Sequence, residues 1–144
     1  AMNIFKGSIE NKILKFGKNS IELPEDLIRQ NCALKNYNKK EVIFGFRPEH
    51  LLEPPSDFSR SLPLIKASVR AVEELGNEHV IHMEIDAPLF QSELAHATDA
   101  IGIRPNTIAR FDPDNSLSTG MDVNVSIDPG KIHFFDPVTE ETIL

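Results

Sequence analysis

The chain has 144 residues, 40% of them hydrophobic and 26% charged, which is typical of one soluble globular domain or of two small interlocked lobes. Its formal net charge of -7 would repel a phosphate backbone, which argues against a nucleic-acid partner. One cysteine cannot form an internal disulfide, and the lack of a long apolar run or of a signal-peptide pattern predicts a cytoplasmic protein.

The first part of the chain is predicted to form a β-hairpin followed by a short helix. The hairpin joins residues 13–16 to residues 21–23 through the turn residues 17–20. The helix is predicted to begin at Pro24 and to run to Leu34, because proline is favoured in the first helical turn and two acidic residues follow it.

Apolar residues at every second position predict further strands. Their inward faces are Val42, Phe44 and Phe46; Ile65, Ala67, Val69 and Ala71; Ile81, Met83 and Ile85; Met121, Val123, Val125 and Ile127; and Ile132 and Phe134. A surface loop is expected at residues 54–63 and a short helical turn within residues 90–98. Short strands at this spacing predict a mainly β fold, an antiparallel barrel or sandwich.

No motif for phosphate binding or covalent catalysis is present. The sequence lacks the Gly-x-x-x-x-Gly-Lys-Ser/Thr loop, the Gly-x-Gly-x-x-Gly turn and the Gly-x-Ser-x-Gly elbow. Cys32 has no partner histidine in a known nucleophile pattern. The five histidines are scattered, and His79 and His82 are predicted on opposite faces of a strand. We therefore expect no catalytic residues, no metal site and no cofactor.

Three segments stand out by their order and spacing. They are Gly45-Phe46-Arg47-Pro48-Glu49-His50-Leu51, then Val72-Glu73-Glu74-Leu75-Gly76-Asn77-Glu78, and finally Phe111-Asp112-Pro113, Gly120 and the run from Ile127-Asp128-Pro129-Gly130-Lys131 through Ile132-His133-Phe134-Phe135-Asp136-Pro137. Together they resemble the C-terminal regulatory domain, a transport-associated OB (TOBE-type) domain, of the ATP-binding subunits of ABC sugar importers, above all of the maltose type. The resemblance covers nearly the whole chain, but residues 86–107 form a longer connection than is usual there.

The resemblance implies OB-fold-like antiparallel β-barrel lobes with one or two short helices. Residues 1–45 and 126–144 would form one discontinuous lobe, residues 46–125 an inserted OB-like lobe, and the ATPase domain would be absent from this chain. Such a domain is non-catalytic, pairs with its twin as a homodimer, and in some members receives a regulatory protein or a small-molecule inhibitor. Its parent binds ATP and Mg and meets membrane permease subunits through the ATPase domain, at the inner face of the cell membrane.

Eight residues are candidates for regulatory or dimer contacts. They are Arg47, Glu49, His50, Gly76, Asn77, Glu78, His133 and Phe135. Seven of them also have a structural interpretation. The favoured structural interpretation is a corner between two lobes for Arg47, Glu49 and His50, and a hairpin turn for Gly76, Asn77 and Glu78. For Phe135 it is packing between lobes, because adjacent strand residues face opposite sides.

Two other binding functions stay open. A free-standing β-barrel that binds a small ligand, such as a sugar or an oxyanion, would need a preformed pocket with convergent polar groups. An OB-type nucleic-acid module would need a basic groove with stacking aromatics, which the net charge of -7 and the absence of tryptophan oppose.

Overall fold

The computed structural model describes residues 2–53, 62–90 and 105–144. In these residues the backbone forms ten strands: β1 Asn3–Glu10, β2 Ile13–Phe16, β3 Asn19–Glu22, β4 Lys40–Phe46, β5 Leu51–Leu52, β6 Leu64–Glu74, β7 His79–Ile85, β8 Thr107–Phe111, β9 Asp122–Ile127 and β10 His133–Phe135. One α-helix, α1, spans Glu25–Gln30, and 3₁₀ helices span Cys32–Tyr37, Pro48–His50 and Pro129–Lys131. The predicted mainly β fold with short helices is confirmed.

The strands form two antiparallel sheets of five strands each. The first sheet has the order β10-β4-β1-β2-β3, and the second has the order β5-β9-β6-β7-β8. The edge strands β5 and β8 of the second sheet lie close to each other, so this sheet curls into a nearly closed barrel. None of the helices in the described residues is long and apolar enough to cross a membrane.

One continuous hydrophobic core joins the two sheets. Phe5 of the first sheet packs against Phe44 and Phe46 with ring centroids 5.7 Å apart in each pair. Ile81 and Val125 of the second sheet are completely buried in the same cluster. Because the core runs across both sheets, the expected lobes of residues 1–45 with 126–144 and of residues 46–125 stay a prediction.

The predicted inward faces of the strands are confirmed with two exceptions, Ala71 and Met121. Met121 precedes the first residue of β9 and is 36% exposed. Ile65, Ala67 and Val69 of β6 are buried, but Ala71 is exposed. The register between β6 and β7 shifts between Val69 and Ala71, which marks a β-bulge. A bulge adds one residue to one strand, so the side chains beyond it change face, and Val72 packs against the core in place of Ala71.

The predicted helix proved shorter than expected. α1 ends at Gln30, because Asn31 leaves helical geometry with φ -124° and its side-chain amide donates to the Leu27 carbonyl at 2.9 Å. The chain continues to Leu34 and beyond as a 3₁₀ helix. The hairpin of β2 and β3 is confirmed, with Phe16 opposite Asn19. The loop and helical turn expected at residues 54–63 and 90–98 lie largely outside the described residues.

Side chains and short segments tie the sheets together outside the core. The backbone of residues 88–90 continues past β7 and pairs with β1, where Lys6 N–H donates to the Pro88 carbonyl at 2.8 Å. The β2–β3 turn packs against Asp86, whose carboxylate accepts from the Lys18 N–H at 2.7 Å. These contacts fix the position of the second sheet relative to β1.

Candidate functional site

The segment Arg47-Pro48-Glu49-His50 forms a corner between the two sheets. Arg47 is extended, with φ -80° and ψ 149°, because the proline ring that follows disfavours helical geometry. Pro48–His50 then makes one 3₁₀ turn, in which the His50 N–H donates to the Arg47 carbonyl at 2.9 Å. The corner therefore turns the chain directly from β4 of the first sheet to β5 of the second.

A pocket of about 400 Å³ opens at this corner. It is lined by Met2, Arg47, Pro48, Glu49 and Arg110. A hydrogen bond from its own backbone N–H, and the charges of His50, Arg47 and Arg110, lower the pKa of Glu49 despite partial desolvation. The pocket thus presents two guanidinium groups beside an ionised carboxylate, which suits it to bind groups of either charge.

Arg110 connects the corner to the β6–β7 turn. Its Nη1 donates to Glu78 Oε1 at 2.8 Å, so two segments far apart in the sequence converge on one arginine. Arg110 is not among the residues predicted from the sequence. The only pattern that could have indicated it is the alternation along β8. There Thr107, Ala109 and Phe111 are buried, and Arg110 lies on the opposite, exposed face.

Gly76 and Asn77 form the turn between β6 and β7. Leu75 N–H donates to the Glu78 carbonyl at 2.9 Å, and Asn77 N–H donates to the Leu75 carbonyl at 3.1 Å. Gly76 has φ 84°, a conformation that glycine adopts without strain. Both residues are exposed, and they do not line the corner pocket. The turn explains their residue types, and it holds Glu78 beside Arg110.

The remaining candidates lie elsewhere. His50 has a buried Nδ1 without a hydrogen-bond partner among the described residues, and it does not line the pocket. His133 and Phe135 lie on β10, opposite Gly45 and Ile43 of β4. His133 is exposed and Phe135 half-buried, whereas Phe134 points into the core. The contact roles of all eight candidates stay predictions.

Three carboxylates form the one acidic group of metal-ligand geometry in the described residues. Oxygens of Glu53, Asp112 and Asp114 lie within 4.8 Å of one another. Glu53 Oε1 also accepts from the Asp112 N–H at 3.2 Å. Exposed carboxylates cluster in this way in many proteins without a metal, so we assign no metal role to them.

Comparisons with known proteins give a family context for this geometry. Residues 1–51 match the family model of the MalK OB fold domain. The chain is 34% identical to the oligosaccharides import ATP-binding protein MsmX of Bacillus subtilis, over 99% of this chain and 34% of that protein. It is 29% identical to the trehalose/maltose import ATP-binding protein MalK of Thermococcus litoralis, over 93% of this chain and 32% of that protein. The chain spans about a third of the length of these relatives.

Further matches agree with these two. The sulfoquinovosyl glycerol transport ATP-binding protein SmoE of Agrobacterium fabrum is 28% identical over 99% of this chain and 34% of its own length. Among solved structures, the cytoplasmic molybdate-binding protein ModG superposes with a TM-score of 0.62, covering 94% of this chain and 96% of its own, at 14% identity. ModG therefore shares the fold. Over nearly its whole length the chain is thus similar to about a third of several importer ATP-binding proteins, and its residues 1–51 match the MalK OB fold domain.

Proposed function

We propose that the chain is a non-catalytic regulatory and dimerisation domain of the ATP-binding subunit of an ABC importer for sugars or related solutes. The observation that carries the proposal is the extent of the sequence match, which covers 99% of the chain but only 34% of MsmX. A chain that corresponds to about a third of such a subunit, and that has no phosphate-binding loop in its sequence, fits a domain beside the ATPase.

The corner pocket supports a contact with a second copy. Arg47 and Glu49 are exposed and lie two residues apart on one turn. In a twofold dimer the same patch meets itself, so Arg47 of each copy would pair with Glu49 of the other. Arg110 and Glu78 would flank this contact and keep the charges of the patch balanced.

The proposed role is mechanical. The domain would hold two ATP-binding subunits together while their nucleotide sites, which bind ATP and Mg, open and close. Permease subunits would contact the ATPase domain on the cytoplasmic side of the membrane. A regulatory protein or small-molecule inhibitor would act through the domain only if it bound the resting and active arrangements with different affinity.

Sedimentation equilibrium of the chain over a concentration series tests the proposal. We expect a reversible monomer–dimer equilibrium, weak because the ATPase domains would supply additional contact area in the parent. A strict monomer at millimolar concentration would mean that this domain does not hold the parent subunits together.

A second candidate function is a small-ligand binding barrel. The specific observation is that Arg47 and Arg110 line the same pocket, an arrangement suited to an oxyanion. ModG, which has the same fold, is a molybdate-binding protein. Calorimetric titration with molybdate separates the candidates, because binding that is lost in Arg47→Ala, in a chain that stays monomeric, would favour this second function.

A further inference from the structure

A second pocket lies in the first sheet, away from the corner. It occupies about 290 Å³ between the β1–β2 turn, α1 and the 3₁₀ helix Cys32–Tyr37. This volume is close to the lower limit of small-molecule sites. The pocket shares no lining residue with the corner pocket, so a ligand here would be distinct from a partner at the corner.

The walls of this pocket are apolar and tightly held. They are formed by Ile9, Leu23, Ile28 and Leu34, whose side chains are 3% to 5% exposed. All four belong to the main hydrophobic core, so the walls are preformed. We call this apolar pocket the slot. A short aliphatic chain bound in it would be removed from water, which favours binding.

The rim of the pocket carries two lysines. Lys12 follows Asn11 in a turn where both residues have positive φ, 63° and 52°. The Lys12 carbonyl accepts from the Leu23 N–H at 2.8 Å, which fixes the turn over the slot. Lys35 lies on the rim from the 3₁₀ helix. The chain as a whole has a net charge of -7, but the mouth of this apolar slot carries two cations.

Only one carboxylate is paired with these lysines in the described residues. Lys12 Nζ donates to Glu25 Oε1 at 2.6 Å, with the two side chains 55% and 68% exposed. The Lys12 hydrogen bond and charge lower the pKa of Glu25, and the charges of Arg29 and Lys35 add to this effect. An exposed ion pair of this kind is weak and exchanges readily, so a ligand carboxylate can compete for Lys12.

We propose that this slot binds a short-chain aliphatic carboxylate, with its tail between Ile9, Leu23, Ile28 and Leu34 and its carboxylate on Lys12 and Lys35. The charge of the rim complements the ligand head, and the apolar walls complement its tail. The proposal does not depend on the function of the corner, since it requires neither a dimer nor an ATPase domain.

Titration of the chain with hexanoate, followed by calorimetry and by the methyl NMR signals of Ile28 and Leu34, tests this site. Hexanamide is the matched neutral probe, and we expect it to bind at least about tenfold more weakly, because it cannot form a charge-assisted contact. The double variant Lys12→Gln/Lys35→Gln is expected to weaken hexanoate binding by about tenfold or more. Lys15→Gln is the matched control, because Lys15 also pairs with a glutamate, Glu10, at 3.4 Å but does not line the slot.

Three results together would establish the site. Hexanoate should bind more tightly than hexanamide and shift the Ile28 and Leu34 methyl signals. Its affinity should be kept in Lys15→Gln and lost in the double variant. The proposal is wrong if hexanoate at several millimolar leaves those signals unchanged. It is also wrong if hexanamide binds equally well, or if Lys15→Gln loses as much affinity as the double variant. The three lysines are exposed, so a loss of folding is not expected to obscure the result.

Discussion

The side-chain amide of Asn3 forms two hydrogen bonds with the backbone of Ile108, a residue 105 positions away in the chain. Its Nδ2 donates to the Ile108 carbonyl at 3.0 Å, and its Oδ1 accepts from the Ile108 N–H at 2.9 Å. Asn3 is only 8% exposed. One side chain of β1 thus satisfies the open edge of β8 as a neighbouring strand would, and it joins the two sheets.

Asn3→Ala is expected to lower the free energy of unfolding by about 2–3 kcal/mol, because it leaves two partly buried backbone groups of Ile108 without their side-chain partner. Urea unfolding followed by circular dichroism measures the loss. Asn124→Ala is the matched control, since Asn124 is exposed on β9, and it should change the free energy by less than about 0.5 kcal/mol. Equal losses in the two variants would show that the Asn3 contacts contribute little.

Gly17→Ala tests the contact of the β2–β3 turn with Asp86. Gly17 has φ 54°, and a Cβ there would overlap the Asp86 carbonyl oxygen. Gly76 has φ 84° but has open space where its Cβ would lie. Gly76→Ala should therefore cost about 1 kcal/mol from backbone strain alone, and Gly17→Ala at least about 2 kcal/mol. Thermal unfolding compares them, and a smaller loss for Gly17→Ala would contradict the close packing.

Because of Asp136, the free energy of unfolding should decrease at acid pH. Hydrogen bonds from the Tyr37 hydroxyl, at 2.7 Å, and from the backbone of Thr139 and Val138 lower its pKa from 3.8 to about 2. When a carboxyl has a lower pKa in the folded than in the unfolded state, it stabilises the fold at every pH above its unfolded-state pKa. This contribution is lost as the pH falls from about 4 through about 2.

Urea midpoints at pH 5, 3 and 2 measure this dependence. Tyr37→Phe removes the largest cause of the shift, so its midpoint should fall less steeply with pH than that of the unchanged chain. Asp136→Asn removes the titrating group and should flatten the dependence further. Parallel curves for all three proteins would show that other carboxyls account for the acid sensitivity.

Arg110→Ala tests whether Arg110 contributes to the dimer contact and not to the stability of the fold. An exposed ion pair such as Arg110–Glu78, with side chains 48% and 30% exposed, contributes about 0–1 kcal/mol to folding. If the corner is a contact surface, the variant should unfold almost normally but dimerise more weakly in sedimentation velocity. Arg70→Ala is the matched control, because it breaks a similar pair with Glu84, at 3.0 Å, away from the corner. Similar dimerisation of the two variants would exclude Arg110 from the contact.

Local patterns predicted the strands well and the long-range contacts poorly. The alternation of Ile81, Met83 and Ile85 matches their burial because each strand face is set by period two. The same rule failed at Ala71, since a bulge depends on the partner strand and leaves no mark in the alternation. Arg47 and Glu49 could be named from their motif, but Arg110 could not. Its place beside them depends on how the second sheet curls.

Dimerisation through the corner is tested most directly by the dimer dissociation constant. Sedimentation equilibrium would measure it for the unchanged chain, Arg47→Glu, Glu49→Arg and the double variant. We expect a reversible dimer that each single charge reversal weakens by about tenfold. Affinity should be partly restored in the double variant, because residues 47 and 49 would again face opposite charges across the twofold axis. A chain that stays monomeric at every concentration, or a dimer that none of the three variants changes, would contradict dimerisation through the corner.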